Sequence, residues 1–146
     1  MLGELDHIEV ESMLRHQMIG RIGCSHGGVV PITNAYDGTF IYCHSKVGLK
    51  IEMMRNNPSI CFEVDQVINM TDWKSVIVWG TYEELKDGEA RKIGIHIFSE
   101  RMKPFVASET LGPMMRQPEP RPPDIGPKPI FFRIRVTKRT GRFERS

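Results

Sequence analysis

The stretch Tyr42-Cys-His-Ser-Lys-Val-Gly-Leu-Lys50 holds the most informative chemistry of this 146-residue chain. An extended segment ends there in polar side chains and passes through a glycine into a helix that carries a lysine. That arrangement suits a phosphate. The first N–H groups of a helix have no intrahelical acceptor, the helix dipole favours an anion at that end, and Lys50 adds a full positive charge. Ser45 supplies one more hydrogen-bond donor. The same letters also describe an ordinary strand-to-helix turn with a solvated lysine, and spacing alone does not separate the two. His44, at the strand end beside this corner, either contacts a ligand through its imidazole or is a strand-end histidine that is exposed or satisfied.

Other chemistries find less support. Cys24, His26, Cys43 and His44 lack the helix-spaced histidine pair or close cysteine pair of a metal centre, so no metal site is expected. No G-x-S-x-G elbow marks a serine nucleophile, and no G-x-G-x-x-G marks a dinucleotide-binding turn. The three cysteines are odd in number, widely spaced and free of C-x-x-C, which reads as free thiols. Lys74 and Ser75, next to Trp73 at the start of a long extended run, matter only if something else brings a ligand there. Trp79 reads as a core or interface tryptophan.

Length and composition bound the rest. The chain is 40% hydrophobic and 26% charged, the balance of one globular domain. With 20 Lys and Arg against 18 Asp and Glu, the net charge of +2 lacks the basic excess of a nucleic-acid binder. No apolar run approaches the roughly 20 residues that span a bilayer, and MLGELDHIEVE has neither the basic nor the apolar part of a signal peptide. A cytoplasmic protein without membrane or nucleic-acid partners is expected.

The elements follow from periodicity. Ile8 to Gln17 carries apolar residues at near-helical spacing, with Asp6 placed to cap it. Ile19–Cys24 and Gly28–Thr33 read as strands around the turn Ser25-His-Gly-Gly28, and Asp37-Gly38 predicts a second hairpin into Thr39–His44. Val47, Ile51 and Met54 predict a helix between Ser45 and Asn57, stopped by Pro58. Ser59–Val64 and Ser75–Leu85 read as strands, with Gly80 marking a bulge or close backbone approach. A helix from Asp87 to about Met102 is expected to turn Ala90, Ile93, Ile97 and Phe98 inward. Eight of the ten prolines fall between Pro104 and Pro129, which predicts a loop or wrapping arm. Ile130–Val136 reads as the last strand, followed by a basic, exposed tail from Lys138. Six short antiparallel strands interrupted by helices predict a mainly β fold, closed or partly closed into a barrel, in a single domain.

Several segments in series carry a resemblance. Val30-Pro-Ile-Thr-Asn-Ala-Tyr-Asp-Gly38, Ile41-Tyr-Cys-His-Ser45, Gly48-Leu-Lys-Ile-Glu52, Met54-Arg-Asn-Asn-Pro58, Cys61-Phe-Glu-Val-Asp65, Trp73-Lys-Ser-Val-Ile-Val-Trp-Gly80 and Gly141-Arg-Phe-Glu-Arg145 together resemble the pyridoxamine 5'-phosphate oxidase-like, FMN-binding split-barrel family. The nearest likeness is to its flavin-nucleotide-binding members, akin to nitroimidazole-resistance reductases. It covers roughly residues 5 to 100 plus the last strand and tail.

The resemblance implies a six-stranded split barrel that forms a homodimer with FMN in two equivalent interface clefts. It implies Pro31, Ile32, Thr33 and Asn34 against the flavin ring, Gly48, Leu49 and Lys50 at the phosphate, and Lys74 and Ser75 beside the flavin. His44 and Ser45 would meet the cofactor, with His44 a candidate catalytic donor to substrate. The C-terminal run Phe132–Ser146 has no histidine where the vitamin-forming oxidases carry arginine and histidine, which turns the expectation away from pyridoxamine phosphate. The activity implied is an FMN-dependent oxidoreductase acting on a small organic molecule, nitroreductase-like, with reduced nicotinamide as a candidate electron donor. The competing reading is a flavin-binding carrier, sensor or regulatory module without turnover. Haem binding through a histidine, a third reading within this fold, has no ligand pattern here.

Overall fold

The computed structural model describes residues 1–24, 28–105, 107–109 and 129–146. Asp6 does cap the first helix, α1 (His7–His16): its Oδ1 accepts the Glu9 N–H at 2.8 Å. Val10, Met13 and Leu14 form the buried stripe, while Ile8, expected to join it, is 77% exposed. Strands β2 (Ile19–Cys24) and β3 (Gly28–Tyr36) pair antiparallel. Of the expected turn Ser25-His-Gly-Gly28, residues 25–27 lie outside the described residues and Gly28 opens β3. The Asp37-Gly38 hairpin leads into β4 (Phe40–Ser45). Asp37 Oδ1 accepts the Thr39 and Phe40 N–H groups at 2.9 and 2.7 Å, and Gly38 takes a φ of 103°.

Helix α2 (Leu49–Asn56) begins later than the pattern suggests, because Ser45 stays in β4. Strands β5 (Ser59–Asn69) and β6 (Asp72–Glu84) form a long hairpin. Then come α3 (Glu89–Met102), a short 3-10 turn at Lys103–Phe105, and β7 (Ile130–Glu144). Most of the proline-rich arm expected over 104–129, from residue 110 to 128, falls outside the described residues.

Strand order β7-β4-β3-β2-β5-β6, with β6 pairing back to β7, closes a six-stranded antiparallel barrel. One expectation at the termini needs correction, and one strand there was not expected. The tail from Lys138 is not free but is the second half of β7, paired with β6 as far as Glu144. The inward alternation simply continues there, with Gly141 and Phe143 buried. The prolonged strand also offers an edge to a seventh strand, β1 (Leu2–Glu4), for which the sequence carries no pattern of its own.

Ile22, Ile41, Phe62, Val64, Val76, Val78, Phe132 and Ile134 fill the barrel. Leu14 of α1 and Ile51 and Met54 of α2 belong to the same core. Helix α3 packs outside, where Phe98 and Met102 meet Ala35, Tyr42 and Phe131. Its inner stripe is rotated from the expected one: Ile93 is 53% exposed and Gly94 is buried instead. A Cβ at Gly94 would lie 2.9 Å from both Phe131 and Tyr42, so the missing side chain lets helix and sheet approach. Gly80 behaves as expected. The β6–β7 register shifts beside it, and a Cβ there would stand 2.6 Å from the Arg135 carbonyl oxygen.

Candidate functional site

Alternation along β4 turns Ile41, Cys43 and Ser45 inward and Tyr42 and His44 outward. Ser45 is buried, and its hydroxyl donates to the Lys46 carbonyl at 2.9 Å. At Gly48 the chain is extended, with φ 175°, and no side chain caps the helix that follows. The Glu52 N–H is the first to turn back, reaching the Gly48 carbonyl at 3.2 Å. The N–H groups of Leu49, Lys50 and Ile51 therefore have no partner within the helix.

Lys50 lies over this corner. Burial pushes the Cys43 thiol well above its ordinary value and raises that of Cys24, and in both cases the Lys50 cation pulls the other way. Its charge therefore reaches the inward faces of β4 and β2 at one end of the barrel. Among the described residues no carboxylate lies within ion-pair distance of Lys50. An unspent helix terminus, a lysine with no carboxylate within ion-pair distance among the described residues and a glycine that leaves room have the chemistry that suits an anion.

The other expected site residues divide between two faces. Pro31 is exposed and Thr33 half-buried on the outside of β3, whereas Ile32 and Asn34 point into the barrel. Asn34 joins β3 to the link between α1 and β2. Its backbone N–H donates to the Met18 carbonyl at 2.8 Å and its amide to that of Gln17 at 3.3 Å. Its Oδ1 is buried with no hydrogen-bond partner among the described residues. His44 lies outside the barrel under α3. Its ring stacks on Phe98 and meets Phe131 edge-on, both at 6.4 Å between centroids.

Lys74 and Ser75 are not beside these residues in a single chain. Strands β2 and β5 separate β3 from β6, so three inter-strand steps, about 14 Å, lie between Thr33 and Ser75. Ser75 instead faces Asp65 and Arg142, and Lys74 faces Gln66 and Phe143.

One charged group escaped the sequence reading. On the outside of β2 and β5, Arg21 stands 3.3 Å from both Glu63 and Asp65. Burial and the adjacent Asp65 raise the Glu63 carboxyl above its usual range, against the pull of Arg21. Alternation placed all three outward, but only the strand register brings them together. Among the described residues no three His, Cys, Asp or Glu side chains converge as metal ligands, and no helix is long and apolar enough to cross a membrane.

The family model described as pyridoxamine 5'-phosphate oxidase matches residues 6–143, nearly the whole barrel and its extensions. The chain belongs to this family. An uncharacterised protein of Rhizobium meliloti (strain 1021) is 33% identical over 132 residues, 85% of this chain and 83% of the relative. Among solved structures, a protein of Mesorhizobium loti described as FAD-binding is 31% identical, with a TM-score of 0.77, covering 100% of this chain and 98% of that one. A candidate 5-nitroimidazole antibiotic resistance protein of Bacteroides thetaiotaomicron superposes with a TM-score of 0.70, over 98% of this chain and 87% of that one. At 18% identity it shares the fold. The split barrel expected from the serial motifs is therefore the fold of this family member.

Proposed function

We propose that this protein binds a flavin, FMN, with the phosphate at the β4–α2 corner, and that two copies form the binding unit. The carrying observation is that corner itself: the uncapped start of α2 at Gly48, with Lys50 free of any carboxylate among the described residues. A phosphate there takes hydrogen bonds from the N–H groups of Leu49, Lys50 and Ile51 and the charge of Lys50. The outward Pro31 and Thr33 supply a contact strip for the ring, while Ile32 and Asn34 support it from within the barrel. A bound flavin supplies electron transfer to and from small organic molecules, a nicotinamide or a nitroaromatic being candidate partners. The protein residues bind it, orient it and shape access to it.

The test begins with the colour and spectrum of the purified protein and identification of the released cofactor. FMN is expected, and FAD is the alternative suggested by the description of the Mesorhizobium loti relative. Release of neither flavin, with no uptake on titration, would refute the reading.

A second reading, a flavin carrier or sensor without turnover, draws on His44. Its ring lies against Phe98 and Phe131 beneath α3, a packed position for a residue expected to serve substrate. Reduced nicotinamide offered with nitroaromatic or quinone acceptors separates the two readings. Bleaching and recovery of the flavin absorbance marks an oxidoreductase, and an unchanged spectrum with every donor marks the module.

A further inference from the structure

The edge of β7 that faces away from β6 is covered in two places. β4 covers it as far as Arg135, where the Val136 N–H also reaches the Thr39 carbonyl at 3.3 Å, and β1 covers it again from Arg142. Residues 137–140 lie in the gap. Main-chain groups along a strand point alternately to its two sides. The Gly141 carbonyl accepts the Leu5 N–H at 2.9 Å and the Arg145 N–H donates to the Met1 carbonyl at 2.9 Å, so the odd-numbered residues of this half of β7 turn theirs away from β6. Those of Arg139 therefore point into the gap, where its N–H and carbonyl have no hydrogen-bond partner among the described residues. Such unpaired groups at a strand edge bond water or a ligand.

A groove of about 460 Å³ opens at this gap, between β7, the end of β1 and the start of α1. Its apolar wall is Leu5 and Val10, both buried against Gly141, where a Cβ would stand 2.8 Å from Leu5 and 3.0 Å from Val10. Arg142 stands exposed on its rim. The other arginines along this strand are spent: Arg133 and Arg135 hold Glu83, Arg139 holds Glu11, and Arg145 holds Glu9. Arg142 has no carboxylate within ion-pair distance among the described residues, although Glu4, also on the rim, is its cross-strand partner in β1.

The groove matches a molecule with an anionic end, an apolar body and a second polar group. The Arg142 guanidinium can take a carboxylate through two parallel hydrogen bonds, and Leu5 and Val10 receive the body. The main chain of Arg139 offers one donor and one acceptor side by side, the complement of a hydroxyl, which accepts and donates. The second charge of a phosphate would meet Glu4, so a single negative charge fits better. We propose that this groove binds a small hydroxylated organic carboxylate, held by Arg142 at one end and by the main chain of Arg139 at the other. The site is built from β1, α1 and β7, none of which supplies the β4–α2 corner, and it does not depend on the flavin reading.

Titration of the full chain with para-hydroxybenzoate, followed through the backbone amide signals in NMR spectra, provides the test. The Arg139 and Gly141 amides are expected to shift, equally with and without saturating FMN. Arg142→Gln is expected to weaken binding about tenfold, and Glu4→Gln to tighten it at least about twofold. Benzoate, which lacks the hydroxyl, para-hydroxybenzamide, which lacks the charge, and inorganic phosphate should each bind more weakly. Lys92→Ala, on exposed α3, should leave the titration unchanged. Circular dichroism checks that Arg142→Gln is folded, and the tighter binding expected of Glu4→Gln is an outcome that loss of structure does not produce. Shifts confined to Leu49, Lys50 and Ile51, or seen only with FMN bound, would put the probe at the flavin and overturn the proposal. Absence of binding, indifference to Arg142→Gln, or equal binding of benzoate or para-hydroxybenzamide would overturn it too, and tighter binding of phosphate would overturn the carboxylate. A protein that takes up no flavin yet binds para-hydroxybenzoate through Arg142 leaves this groove standing and removes the cofactor reading.

Discussion

At one end of the barrel Glu11 of α1 accepts a hydrogen bond from Arg139 at 2.6 Å, and the Tyr36 hydroxyl lies 3.0 and 2.9 Å from its two oxygens. Arg139 also reaches the Tyr36 hydroxyl. At the other end α2 starts on a bare glycine beside a lysine with no acid near it among the described residues. The first end spends its polar groups on one another and ties helix to strands. The second leaves donors and charge unspent at the barrel's end, an arrangement that adds little to folding and has the chemistry the proposed phosphate site requires. The donors at the second end face solvent, with Leu49 68% exposed, and are open to water or to the phosphate proposed above.

Removing one member from each end should therefore give opposite results. Lys50→Ala is expected to weaken FMN binding about tenfold to a hundredfold, the worth of one charge-assisted contact, while the denaturation midpoint stays nearly constant. A folded Lys50→Ala protein with wild-type flavin affinity would remove Lys50 from the phosphate site. Glu11→Ala leaves Arg139 without its carboxylate and the Tyr36 hydroxyl with the Gly38 carbonyl, 3.0 Å away, as its acceptor, and should cost about 1–3 kcal/mol of stability. Flavin affinity, titrated by fluorescence quenching, should stay within error. Equal effects of both substitutions on both measurements would dissolve the contrast between the two ends.

The closed end should also betray itself in alkali. Burial, and then the hydrogen bond to Glu11, push the Tyr36 hydroxyl from its ordinary value of 10 up to about 12. The folded state therefore holds this proton where the unfolded chain has lost it. That contribution to stability is whole below pH 10 and drains away as pH climbs through the interval to about 12. Denaturant midpoints measured across this range should fall less steeply in Tyr36→Phe than in the wild type. Parallel curves would show that Tyr36 is not responsible.

The strand-to-helix turn at the open end was the more legible of the two in the sequence, because Gly48 and Lys50 belong to one short connection. The strands that alternate cleanly, and the Asp6 and Asp37 caps, were legible for the same reason. What escaped depends on contacts distant along the chain. Strand β1 exists only because β7 runs past the barrel, and Ile93 lost the inner face of α3 because Gly94 fits against Tyr42 and Phe131. The position of His44 under α3 and the separation of Ser75 from Thr33 follow from sheet order, which no local pattern carries. The Arg21, Glu63 and Asp65 cluster likewise needed the register of β2 on β5.

The smallest expected effect is the sharpest test of the open end, because it changes sign between two measurements. Gly48 has an extended φ of 175°, open to any residue, and a Cβ there meets nothing within 4 Å. Gly48→Asp would therefore be accommodated without strain, and its carboxylate could accept the N–H of Lys50 or Ile51 as a helix cap. The gain over glycine should be a few tenths of a kcal/mol from the cap, plus about 0.3–1 kcal/mol from the helix dipole. The same carboxylate would stand where the phosphate is proposed to bind, taking its donors and repelling its charge. Denaturation should move to higher denaturant while flavin affinity falls. If Gly48→Asp proved more stable yet bound FMN as well as the wild type, the first turn of α2 would be a place the phosphate does not use.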